Sequence, residues 1–204
     1  MLDCLVGSEM CIRDSFCNWL SEKENLPKFY NVVGDRVTSI NWDSNGYRLP
    51  TESEWSWVAK VTKAGSTKVF PWNSPSYPPP FVSGNYADES AKSMLPFTIS
   101  NYNDAFPVSA SVGSFQPNEK GIFNLSGNVA EWVNDFYEIR VNKSEPLVDY
   151  RGPNTGNRHV IRGASWALGS RSELRLSYRE PGNDGKIDVG FRIARYVDKP
   201  KGDL

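Results

Sequence analysis

The sequence predicts a loop-rich α+β domain with little regular secondary structure. Three observations carry that prediction. Aromatic residues make up 13% of the 204 residues, with seven Trp, nine Tyr and ten Phe. Turn formers are plentiful, with 16 Gly and 14 Pro. The segments with helical or strand periodicity are short and widely separated. Many large rings among many turn residues describe a fold pinned by buried aromatics more than by long ladders of hydrogen bonds.

Phe16, Trp19 and Leu20 stand at i, i+3, i+4, the spacing of one apolar helix face. This helix is expected over 16–25, with Asp14 or Ser15 as its cap and Pro27 as its stop. Residues 29–42 alternate loosely around Gly34-Asp35, the pattern of a short hairpin. Thr51 and Glu54 follow Pro50 as Thr-x-x-Glu, a capping box, and Trp55, Val58 and Ala59 then line one face of a second helix. From residue 64 to 107 periodicity fades and the chain contains PWNSPSYPPP. A segment that long without elements carries function or is held by something other than a ladder. Strands are expected at 108–115, at 159–162 running into a turn at Gly163, at 173–178 and at 189–196. A turn-rich loop is expected at 151–157. There are no internal repeats and no second domain.

Composition excludes several function classes. The 23 Lys and Arg nearly balance the 24 Asp and Glu, for a formal charge of −1, so no basic surplus exists to neutralise nucleic-acid phosphates. No apolar run reaches the roughly 18–20 residues of a membrane span. Cys4, Cys11 and Cys17 all lie in the first 17 residues, so they cannot cross-link the body of the domain. Residues 1–15 lack the charge and apolar pattern of a secretory signal. The run LVGSEMCIRDS resembles translated sequencing-adapter read-through, so residues 1–15 are expected to be an unpacked leader. The alternative is a genuine helix start.

Seven blocks, FCNWLSEKE, NGYRLPTESEWSWVAK, FPWN, GNYAD, GIFNLSGNVAEWVNDFY, HVIRGASW and DVGFRIARY, occur in this order. Their order and spacing resemble the formylglycine-generating enzyme family, also called the sulfatase-modifying factor domain. The resemblance spans about residues 16–196 and implies a fold similar to C-type lectins. It implies one domain at 16–197, a tail at 198–204, and N-terminal strands that precede the first block in the family. Those strands have no counterpart here, so an upstream region, fused or partnered, is expected. A signal or lipid anchor in that region would set the compartment, which this sequence leaves open.

The resemblance also implies two calcium sites. In the first, Asn124 and Glu131 supply side-chain oxygens and Gly127 and Val129 supply carbonyls, the hard-oxygen set that calcium takes. The alternative is a turn whose Asn and Glu satisfy backbone groups. The second matches Asn85 and Asp104, with carbonyls from Tyr86 and Phe106. The family's redox centre is expected to be missing. Its two copper-binding cysteines match Leu168 and Glu173, counted from Gly163-Ala164-Ser165, and neither residue provides a soft ligand. No copper is therefore expected. His159 is the chain's one histidine, too few for a three-histidine iron site. Ser165, Trp166, Arg175 and Arg179 are expected along the family's substrate groove, with Glu173 and Asp184 adding charge; ordinary salt bridging is the plainer reading of these charges. The expected function is a calcium-stabilised binding or scaffolding module for a peptide or small molecule. An enzyme of the same superfamily with altered chemistry is the alternative.

Overall fold

In the computed structural model, residues 10–34, 36–72, 74–139 and 148–197 are described. Leu5, Cys4, Asp35 and the 198–204 tail lie outside them, as do the side chains of Met10 and Cys11. The architecture is α+β and loop-rich, as predicted. Helix α1 (Met10–Lys23) is followed by a hairpin of β1 (Tyr30–Val33) and β2 (Arg36–Ile40), and then by α2 (Glu52–Lys60). After a long loop region come β3 (Ala130–Phe136), β4 (His159–Arg162), β5 (Arg179–Gly182) and β6 (Val189–Phe191). These last four form one sheet in the order β5-β4-β3-β6, with β3 antiparallel to β4 and parallel to β6.

The sheet separates two cores. On one face Trp132 and Ile161 meet Cys17 of α1, Phe29 and Tyr30 of the hairpin, and Leu49. On the other, Val133 and Val160 meet Trp55 and Ala59 of α2, with Leu125 and Leu176. Adjacent residues on a strand point to opposite faces, so Trp132 and Val133 divide naturally between them.

The capping box closes as expected. The Thr51 side chain accepts from the Glu54 amide, and Glu54 Oε2 accepts from Thr51 N–H at 2.8 Å. The hairpin also forms, turning at Gly34 with φ +59°.

Helix α1 differs from the expectation. It starts at Met10 rather than after Asp14 or Ser15, so a boundary at residue 16 falls inside it. Its buried stripe is Arg13, Asp14, Cys17, Asn18 and Ser21, while Trp19 is 49% exposed and Ile12 51%. Asn18 and Ser21 of this polar stripe are hydrogen-bonded, which makes their burial tolerable. Asn18 donates to Tyr30 O and accepts from Tyr30 N–H, and the Arg13 guanidinium lies 4.5 Å from the centre of the Trp132 ring.

Two expected strands are absent. Residues 108–115 form turns and bends, and 173–178 form a run of turns that precedes β5. The expected 189–196 strand ends at Phe191, though Ala194 still bridges to Arg48.

The long loop region is held by a third, mostly aromatic core of Phe70, Trp72, Tyr86, Ile99, Tyr102, Ala164 and Leu174. Phe70 and Trp72 stack with centroids 4.7 Å apart. Ring packing here replaces the missing ladder.

Candidate functional site

The two oxygen-rich sets meet around Gly127. This residue has φ +90°, and a side chain there would come within 2.8 Å of Asn85 O. Glycine thus permits both the turn and the close approach of the loop carrying Asn85.

In the first set, the Asn124 side chain and the Gly127 and Val129 carbonyls accept no hydrogen bond among the described residues. Glu131 is in a different position. It is buried at the start of β3, and Oε2 accepts from Trp55 Nε1–H at 2.8 Å and from Arg192 Nε–H at 2.6 Å. Its Oε1 accepts from Arg192 Nη2–H. The guanidinium therefore grips both oxygens in a fork, and the carboxylate that was to balance a metal's charge is already neutralised. This set does not fit calcium.

The second set fits better. Asn85 is fully buried, and its Oδ1 has no hydrogen-bond partner among the described residues. A buried orphan acceptor is costly unless something positive meets it. Asp104 is also buried; its Oδ2 accepts from Tyr86 N–H and its Oδ1 from Phe106 N–H, each at 2.9 Å. Burial, with the nearby Asp88 charge adding, pushes the Asp104 carboxyl up to about 6. No Lys or Arg pairs with Asp104 or Asp88 among the described residues. The carbonyls of Tyr86 and Phe106 accept no hydrogen bond among the described residues. Asp88 serves structure: its Oδ1 caps the short 3-10 helix Glu89–Ala91, and its Oδ2 accepts from Asp104 N–H.

The positions of the family cysteines lie in one loop. Leu168 packs against the aromatic core, and its carbonyl accepts from Ala87 N–H at 3.0 Å. Glu173 folds its carboxylate back on that loop, accepting from Ser170 N–H at 2.8 Å and Gly169 N–H at 3.3 Å. Cys17 sits on α1, buried, with its thiol pushed up to about 12 by burial and by the Asp14 charge. Such a thiol stays protonated and inert near neutral pH.

The expected groove residues are dispersed. Ser165 is fully buried and donates to Asp188 Oδ2 at 2.7 Å; Trp166 is buried, with its N–H on Asn128 O. Arg175 is exposed. Arg179 belongs to another neighbourhood, pairing with Glu52 at 2.8 Å and donating to Glu138 O. No ion pair joins Glu173, Arg175, Arg179 and Asp184 among the described residues. His159 is held neutral: burial, with Arg13 nearby, lowers it to about 3.

A cavity of about 820 Å³ lies between α2 and the segment after β6. Its walls include Trp57, Val58, Ile122, Ile193 and Tyr196, together with Asp149 and Arg151. Sequence reasoning missed it because its walls come from four separated segments. Arg192 stands in a block quoted above, yet nothing in that block says it reaches Glu131.

A family model described as the sulfatase-modifying factor enzyme 1-like domain matches residues 13–197. The formylglycine-generating enzyme of Streptomyces coelicolor is 29% identical over 189 residues, covering 90% of this chain and 57% of that protein. The inactive C-alpha-formylglycine-generating enzyme 2 of Mus musculus is 29% identical over 198 residues, covering 91% of this chain and 54% of its own. The solved structure of Treponema denticola variable protein 1 superimposes with a TM-score of 0.68 at 25% identity, covering 97% of this chain and 72% of that one. The chain thus spans little more than half the length of these two curated relatives.

Proposed function

The chain belongs to the family of sulfatase-modifying factor enzyme 1-like domains, and from that membership we propose that it is a non-catalytic binding or scaffolding module. The observation that carries this reading is the loop at Leu168 and Glu173. Where the resemblance requires two thiolates, one side chain packs against an aromatic core and the other caps its own turn. Neither group can replace sulfur as a ligand for copper(I). A relative named as inactive supports the view that this family includes members without the activity. The ligand class proposed is a peptide or a small molecule.

We further propose that one calcium ion stabilises the module, held by Asn85 and Asp104 with the carbonyls of Tyr86 and Phe106. The orphan Asn85 Oδ1 and the unpaired, buried Asp104 support this assignment. The ion would supply the positive charge these oxygens lack and cross-link two loops of the long irregular region.

The test is an assay of a Cys-containing sulfatase-type peptide with copper and oxygen supplied. Mass spectrometry registers loss of sulfur and gain of oxygen. No turnover above a protein-free blank is expected. Turnover by the unmodified chain overturns the binding-module reading.

A further inference from the structure

We propose that the cavity between α2 and the segment after β6 binds a ligand that joins one carboxylate to an apolar body. At about 820 Å³ it falls within the size range of pockets that take small organic ligands. None of its lining residues belongs to the 163–178 region that carries the family cysteine positions.

The chemistry follows from which charges on its walls are already used. Glu54 lines the cavity, but Arg48 holds it through two hydrogen bonds of 2.7 and 2.6 Å. Arg192 lines it too, and is forked onto Glu131. Arg151 remains. Its guanidinium lies over the Trp42 ring at 4.2 Å and makes no hydrogen bond or ion pair with another described residue. Stacking fixes the plane of a guanidinium and leaves its edge N–H donors free, the arrangement that receives a carboxylate in two parallel hydrogen bonds. Beside it, Trp57, Val58, Ile122 and Ile193 offer apolar surface to the rest of the ligand. Asp149 also lines the cavity, but it is exposed, so solvent screens its charge.

This inference deepens the binding-module reading and rests on it for the cavity's use. Calorimetric titration of the full chain tests it with three probes: an acetylated tetrapeptide ending in Leu with a free carboxyl terminus, the same peptide as its carboxamide, and octanoate. The expected result is binding of at least one acid, with the carboxamide weaker than the peptide acid by about tenfold or more if the peptide is the ligand. Arg151→Gln should erase the acid's advantage, and Arg151→Lys, which keeps the charge but loses the fork, should retain part of it. Tighter binding of the peptide acid assigns a peptide source, and tighter binding of octanoate assigns a small carboxylate. Failure of both acids to bind at millimolar concentration overturns the inference, as does equal binding of peptide acid and carboxamide where the peptide is the tighter probe, or an Arg151→Gln variant that binds the acid unchanged. Turnover in the formylglycine assay would remove the binding-module reading and leave the acid-binding result standing.

Discussion

Asp135 is buried in β3 with no cationic partner among the described residues; its Oδ2 accepts the Glu52 N–H at 2.7 Å. Burial, helped by the Glu52 and Glu54 charges, pushes its carboxyl from 3.8 up to about 7. The folded state therefore holds this proton where the unfolded chain has released it, and Asp135 contributes stability below about pH 4 that is lost as pH rises through about 7. His159 acts in the opposite sense. Its pKa is lowered from 6.5 to about 3, so its contribution is present above about 6.5 and lost as pH falls toward about 3. Comparing variants separates the two: the stability of Asp135→Asn relative to the unmodified chain should rise from pH 4 to pH 7, read by urea unfolding. Glu131 gives a second prediction at this scale. Glu131→Ala takes the carboxylate from Arg192, which is 28% exposed and still donates to Phe123 O, and leaves the buried Trp55 Nε1–H without its acceptor, a loss of about 1–3 kcal/mol. If calcium rests on Asn85 and Asp104, a folded Glu131 variant should still respond to chelator.

At the scale of elements, α2 and β3 show why some segments are legible and others are not. A capping box is local: Thr51 and Glu54 satisfy each other's backbone across one turn, and the four-residue pattern specifies the contact. Thr51→Ala should cost about 1 kcal/mol and lower Tm by about 2–4 °C, measured by calorimetry. Strand β3 reads AEWVNDF, and its polar residues do not alternate with apolar ones as in a half-exposed strand. Nearly the whole strand is buried because each polar side chain finds a distant partner. Glu131 meets Arg192, Asn134 meets the Tyr30 hydroxyl at 3.0 Å, and Asp135 meets the Glu52 amide. Those partners are 61, 104 and 83 residues away, beyond any window of periodicity. Helix α1 misled for the same reason: its apolar Trp19 is half exposed, while Asn18 is buried on the hairpin backbone.

For the whole molecule, the decisive question is what holds residues 61–129, where regular elements are almost absent. Aromatic packing accounts for part of it. The proposed ion would account for another part, since Asn85 and Asp104 stand on separate stretches of this region. Chelator should lower Tm, and calcium at a hundredfold excess over Kd should restore about 2.7 kcal/mol. Asp104→Asn and Asn85→Ala should each remove that response. An identical melting curve with and without chelator, with metal removal verified by elemental analysis, would sink the calcium assignment.

The sequence by itself determined the α+β, loop-rich class, the capped helix α2, the hairpin, the strand before Gly163 and the absence of a cysteine pair at Leu168 and Glu173. All of these depend on contacts within a few residues, or on which atoms a side chain possesses. Tertiary structure alone decided that Glu131 is spoken for by Arg192, that Asn85 Oδ1 has no partner among the described residues, that Ser165 and Arg179 stand in different neighbourhoods, and that Arg151 lines a cavity without an ion pair among the described residues. Whether a charge or a polar atom is available depends on which distant segments fold against it, and in a domain held by loops and rings no local period encodes those meetings.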